Sequence, residues 1–287
     1  MIALTALCAP VSAAENHVMK LSAIGDYMVV PHSASLGASA EITVEYWLLF
    51  QNTSSHGRIG KHSGGDCQWA SGPAVQPDNL FELCGPAIDV PAPAGFTNPH
   101  SEWFHFAATF NQSAGVAKVF LNGRLIATAT GTAPMQNMEI PLHVGLQPGY
   151  ATSQLYGSID NFRIWTVERT QEQIAEMRFT EIAPGETKGH TGLVTSWTFE
   201  SGASDSTGLN PGTLMGGASI VVDDSFYPND CVADIIADGV VDGVDLATIL
   251  TNWAQTPSGL YNADLDGSGI IDAADLAILL DGWGTCP

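Results

Sequence analysis

Positive charge is what this chain has least of. Its 287 residues carry nine Lys+Arg against thirty Asp+Glu, a formal net charge of −21. That balance argues against nucleic acid or an anionic membrane as a partner, because both are held by clustered cations. Long apolar runs are also missing. Past the first residues nothing approaches the roughly 20 consecutive apolar residues of a membrane span, so no membrane insertion is expected. Common catalytic signatures are absent: there is no G-x-S-x-G elbow, phosphate loop, Cys-x-x-Cys or His-x-x-x-His, and the His are scattered. Cysteine is sparse, with five in all.

What the chain does have is acid, concentrated at one end. Residues 229–287 hold ten Asp and no Glu, Lys or Arg. Within them, Asp264 to Asp275 reads D-L-D-G-S-G-I-I-D-A-A-D. Side-chain oxygens fall at loop positions 1, 3, 5, 9 and 12 (Asp264, Asp266, Ser268, Asp272, Asp275). Gly269 falls at the sharp turn, and Ile270 at position 7 offers its carbonyl. This is the ligand order of a 12-residue calcium loop, and clustered carboxylates repel one another unless a cation joins them. Ca2+ is therefore the expected cofactor. An earlier stretch lines up at an offset of 30, Ala237–Ala254 on Gly267–Gly284. Its loop offers Asp234, Asp238, the Val240 carbonyl, Asp242 and Asp245, but Ile236 stands at position 3. One ligand short, it is expected to bind weakly or not at all. Each unit runs on into a short apolar helix ending in Trp253 or Trp283, both expected in the core.

Ahead of this segment the pattern is β. Tyr27–Pro31, Ile42–Phe50, Trp103–Phe110, Gly157–Trp165, Gly192–Glu200 and Ala218–Val222 read as strands. Asn122-Gly123, inside Ala117–Thr130, predicts a tight type I′ hairpin. Thr170 with Gln173 forms a capping-box pattern, which predicts a short helix with Ile174 and Met177 inward. Strands of this number over about 200 residues predict a two-sheet antiparallel sandwich. The fold class is thus mainly β with a small α-helical C-terminal module. The parts are a leader at 1–14, a sandwich at 15–226 and the duplicated calcium-loop module at 229–287. In the leader, Val11-Ser12-Ala13 is similar to the end of a secretory signal peptide. Its basic opening is missing, which points to a start further upstream. The expected location is secreted, extracellular or at the cell surface.

With Cys8 in the leader, four cysteines remain for an exported chain. Cys67 and Cys84 would close a local loop, and Cys231 and Cys286 would staple the two ends of the acidic segment. Four buried free thiols are the alternative.

Several of these pieces together resemble a known family. Gly25-Asp26-Tyr27, Glu45-Tyr46-Trp47, Trp103-Phe104-His105, Leu121-Asn122-Gly123 and Gly157-Ser158-Ile159-Asp160 through Trp165 resemble the laminin-G-like, concanavalin A-like jelly roll. The resemblance implies a lectin-type sandwich that binds a glycan or another extracellular ligand, sometimes with a structural calcium. Asp160 would be a ligand for that ion, with Asp26 or Asn161 near it; a hydrogen bond to backbone amides is the alternative. The two loop–helix units resemble a type I dockerin, which implies tethering to a cohesin-like or surface scaffold. Positions 10 and 11, Gly243-Val244 and Ala273-Ala274, depart from the hydroxyl residues that contact cellulosomal cohesins. Related jelly-roll glycosidases place Glu-x-Asp-x-Glu on a strand. Here Thr43 separates Glu41 and Glu45, so two solvated carboxylates are the expected reading. His105 is expected on a polar surface face. Trp69, in the Gly64–Pro73 loop, is the aromatic best placed to stack on a sugar, although a Trp covering the loop reads equally well. These features favour a non-catalytic binding protein over its alternatives, a polysaccharide-acting glycoside hydrolase or accessory subunit, or a structural surface-matrix protein.

Overall fold

The computed structural model describes residues 15–51, 57–63, 66–72, 79–84, 88–94, 96, 99, 101, 103–131, 134–149, 154–182, 184–186, 189–223, 233–235, 240–256, 263–266 and 268–285. The first strands are β1 (His17–Leu21), β2 (Tyr27–Val30), β3 (Glu41–Phe50), β4 (Ile59–Ser63), β5 (Asp66–Ser71), β6 (Asn79–Leu83) and β7 (Ile88–Pro91). They are followed by β8 (Trp103–Asn111), β9 (Val116–Leu121), β10 (Arg124–Thr130), β11 (Leu142–Val144), β12 (Gly157–Trp165) and the helix α1 (Gln171–Met177). Then come β13 (Leu193–Trp197), β14 (Thr213–Met215) and β15 (Ser219–Val222).

Two antiparallel sheets result. The eight-stranded sheet runs β10-β9-β8-β3-β12-β1-β15, with β13 also on β12; the seven-stranded sheet runs β14-β2-β11-β4-β5-β6-β7. Side chains alternate along each strand, so one face of each sheet supplies the core between them. Along β3 that face is Ile42, Val44, Tyr46, Leu48 and Phe50, all buried. Opposite, Met28, Val30, Ile59, Trp69, Phe81, Val90, Leu142 and Val144 fill the same core.

The other face of β3 is buried as well. Helix α1 and the residues after it lie over the eight-stranded sheet, where Trp47, Trp103 and Val18 pack with Phe179, and Phe120 and Ala107 with Ile174. Locally the sequence favours this cover. Thr170 and Gln173 close a reciprocal capping box at the start of α1, and Ile174 is its buried residue. Met177 is only half-buried. Asn122 (φ 48) and Gly123 (φ 78) form the expected left-handed turn between β9 and β10. A Cβ at Gly123 would stand 2.8 Å from the Cβ of Ala175, so the hairpin meets α1 where only glycine fits.

Near the C-terminus lie β16 (Val240–Val241), α2 (Gly243–Thr251), α3 (Ala273–Asp281) and β17 (Gly284–Thr285). The 30-residue repeat is structural. Asp242 and Asp272 cap the two helices, Asp245 and Asp275 complete matching capping boxes, and Ile249 and Leu279 are the buried apolar positions. The two units are bonded through Ala254 N to Ile271 O (2.8 Å) and Ile271 N to Gln255 O (3.1 Å). Their described core is small: Ala233, Ile235, Val241, Ile249, Ala263, Ile271 and Leu279. Trp253 and Trp283, expected inside it, are 39% and 49% exposed, because each follows its helix and points beyond the buried stripe. The expected link at Phe226–Asp230 lies outside the described residues.

Candidate functional sites

The second acidic loop closes on itself. Gly269, at φ 87, turns the chain back so that its amide donates to Asp264 Oδ2 at 2.8 Å. Asp275 is fully buried. Its Oδ1 accepts from the amides of Leu265 (2.6 Å) and Asp266 (3.2 Å), its Oδ2 from that of Asp272 (2.7 Å). These bonds bring ligand oxygens of Asp264, Asp266 and Asp275 within 4.8 Å of one another, the one such group among the described residues. Ser268 Oγ donates to Ile270 O at 3.1 Å, so positions 5 and 7 are also adjacent. Asp272 serves as the α3 N-cap, accepting from Ala274 N. Burial, with Asp266 and Asp275 adding to it, raises the Asp264 carboxyl above its ordinary range; bonds from Ser268 lower that of Asp266. The donor set is all oxygen, with no imidazole or thiolate, which is the chemistry a hard divalent cation requires.

In the first acidic loop Asp245 plays the part of Asp275, accepting from Ile235 N (2.8 Å) and Asp242 N (2.9 Å). Asp234 is buried, while Asp238 and Ile236 lie outside the described residues. No carboxylate triad forms in this loop among the described residues.

The structure separates Asp26 from Asp160. Asp26 accepts from the amides of Ser22 (2.9 Å), Ala23 (2.8 Å) and Gly217 (2.6 Å), and so ties two turns together. Asp160 is fully buried at a β-bulge, with Asn161 at φ 48. It accepts from Asn161 N and Asn16 Nδ2 and has Glu181 and Glu200 as acidic neighbours. Burial raises its carboxyl well above the usual range.

Two expectations, for Glu45 and His105, fail for one reason, the extra layer over the eight-stranded sheet. Glu45 is not solvated: it is fully buried, accepts a hydrogen bond from Trp165 Nε1 at 2.8 Å and lies 3.7 Å from Arg163 Nη1. Glu41, at the start of the strand, stays half-buried and accepts from Asn111 Nδ2 and Glu168 N. His105 is buried, 3.8 Å from Glu45, and burial, with Arg163 next, holds its pKa well below 6.5. Trp69 fails differently. It lies on β5, 1% exposed in the core between the sheets, and has no free face for a sugar. Cys67 and Cys84 form a disulfide with Cα atoms 5.3 Å apart, whereas Cys231 and Cys286 lie outside the described residues.

The outward face of the seven-stranded sheet carries a polar row that no spacing in the sequence reveals. Register sets His143 on β11 against Val29 of β2 and Gly60 of β4. The Tyr27 and His143 rings lie 5.8 Å apart. His62 contacts Gln147, and Arg58 pairs with Glu82 through both nitrogens (3.0 and 3.2 Å). Burial lowers both imidazole pKa values, so at neutral pH each ring is uncharged and offers one donor and one acceptor. Neutral imidazoles, an amide, a phenol and a carboxylate on one sheet face can read hydroxyl groups, with the Tyr27 ring beside them as an apolar surface.

Comparison with known proteins agrees with this architecture. Residues 22–175 match the Laminin_G_3 profile, described as the concanavalin A-like lectin/glucanases superfamily. No curated protein matches. A candidate carbohydrate-binding protein from Bacteroides ovatus ATCC 8483 superposes with a TM-score of 0.53 at 18% identity, over 73% of this chain and 60% of that one. The chain thus spans 60% of that protein's length. The heptameric SAP-like pentraxin from Limulus polyphemus gives a TM-score of 0.54 at 14% identity, over 73% of this chain and 96% of the pentraxin. At these identities the likeness is one of fold.

Proposed function

The chain belongs to the concanavalin A-like lectin/glucanases superfamily, and from that premise we propose that it is a secreted, non-catalytic binding protein. The outward face of its seven-stranded sheet takes an extracellular glycan, and a dockerin-like segment, residues 229–287, tethers it to a scaffold or surface in calcium. One observation carries the reading: Glu45 is fully buried beneath a third layer and bonded to Trp165, while half-buried Tyr27 and His62 gather beside the buried His143 on the outward face of the other sheet. A hydrolase needs two carboxylates flanking its substrate, with one accessible to water. The likeness to a candidate carbohydrate-binding protein lends support at the level of fold.

For the tether, Asp264, Asp266, Asp275, Ser268 and the Ile270 carbonyl would hold calcium, with Asp272 at position 9. The ion would supply the positive charge that the raised Asp264 carboxyl calls for. The loop at Asp234 would bind weakly. Leu250, Trp253, Leu280 and Trp283, repeated at the same offset and exposed, suit an attachment face. For Asp160 the alternative reading is the better supported, a buried acceptor of hydrogen bonds from Asn161 N and Asn16 Nδ2.

Incubating the full chain with a polysaccharide panel, and assaying both retention and released reducing ends, tests the reading. Retention that is lost in Tyr27→Ala and His143→Ala, without reducing ends, supports it. Reducing ends that disappear in Glu45→Gln would overturn it in favour of a hydrolase.

A further inference from the structure

The eight-stranded sheet carries a second candidate site, in a groove between the β9–β10 hairpin and the residues leading into α1. Its cavity of about 330 Å³ is at the small end of the range that holds a ligand, roughly 300–1,000 Å³. Leu125, 37% exposed beside the β-bulge of β10, gives it an apolar floor, while Phe120 at its edge is only 2% exposed. Lys118, Glu168, Arg169 and Gln171 stand around that floor.

The charges decide what belongs there. Of nine basic residues in a chain of net charge −21, five (Lys118, Arg124, Arg163, Arg169 and Arg178) lie between the start of β9 and the C-cap of α1. Lys118 is neutralised by Glu168 at 2.7 Å, and the other Glu168 oxygen accepts from Asn111. Arg163 faces Glu45. Arg169 is different. It is 7% exposed, its guanidinium carbon lies 4.0 Å from the centroid of the Trp165 ring, and Nη2 donates to Gln173 O at 2.9 Å. Its Nε has no acceptor, and no ion pair joins it to a carboxylate among the described residues. A buried cation without a counter-charge is costly, and a guanidinium is shaped to receive a carboxylate through two parallel bonds.

We propose that this groove binds one acidic monosaccharide unit, with its carboxylate on Arg169 and its C–H face on Leu125. The site is separate from the seven-stranded sheet and does not rest on the function assigned to that face. A uronate joins an anion, hydroxyls and an apolar ring face in a single small ring, which matches the cation, the polar rim and the floor.

Isothermal titration of the full chain with D-galacturonate, D-galactose and acetate tests this. Galacturonate should bind at least tenfold more tightly than the other two. Arg169→Gln should erase that preference. Leu125→Glu, at a half-exposed position, should abolish uronate binding with an unchanged melting temperature, and it decides the matter alone if Arg169→Gln does not fold. Equal binding of acetate or galactose, no binding of galacturonate, or full binding by Leu125→Glu overturns the proposal. Uronate binding that survives Leu125→Glu but is lost in Tyr27→Ala would place the ligand on the seven-stranded sheet, leaving the proposed function intact and this groove without a ligand.

Discussion

The sandwich and the acidic C-terminal segment are held together by different physics. In the sandwich, two inner faces bury Trp, Phe, Tyr, Leu, Ile and Val in one continuous cluster, and a third layer seals one outer face. The C-terminal units share seven small to medium apolar side chains among the described residues, and turn buried aspartates inward beside them. A core of that size stabilises little, and small modules commonly add a metal. The lesson is that this chain carries one region expected to be indifferent to ions and one expected to depend on them.

The comparison can be broken most sharply from the sandwich side. Trp69→Ala should cost about 3–5 kcal/mol, as large aromatic truncations in cores do. Differential scanning calorimetry should show the sandwich transition lowered and the C-terminal one unmoved; a joint shift would mean the regions unfold as a unit. Next in size is calcium itself. At a hundredfold excess over Kd, one ion adds about 2.7 kcal/mol to the segment that binds it. EDTA should therefore lower only the C-terminal transition, and a segment that ignores both EDTA and calcium removes the metal from the account.

A subtler contrast lies between the two acidic loops. Asp245→Ala and Asp275→Ala each leave backbone amides without an acceptor, a loss of about 1–3 kcal/mol. In EDTA the two variants should be comparably destabilised. In calcium, titrations should show that Asp275→Ala loses the tight ion and Asp245→Ala keeps it. The smallest effect is that of pH on the sandwich. Because the folded pKa of His105 lies well below 6.5, its contribution is complete above pH 6.5 and is lost as pH falls below that value. From pH 7.5 to 5 the melting temperature of the parent should fall more steeply than that of His105→Gln. Parallel curves would mean that the imidazole is not buried neutral.

Legibility followed the range of the interactions. The Asn122-Gly123 turn, the Thr170 cap and the repeat at 30 residues were readable because each is decided within a few residues by φ preference or a local hydrogen bond. Trp69, His105 and Glu45 were misplaced because strand alternation names two faces without saying what covers either. Tyr27, His62 and His143 were invisible as a group. They come from three strands, and only cross-strand register makes them neighbours.

By itself, then, the sequence determined a β-rich body with alternating inner faces, a tight hairpin, and a duplicated acidic tail with oxygen donors at calcium-loop spacing. Tertiary structure alone decided that α1 covers one outer face, that Tyr27, His62 and His143 meet on the other, and that Arg169 lines a groove with no ionic partner among the described residues. The reason is physical: periodicity and turn chemistry are fixed by near neighbours along the chain, but burial and charge pairing depend on segments that only folding brings together.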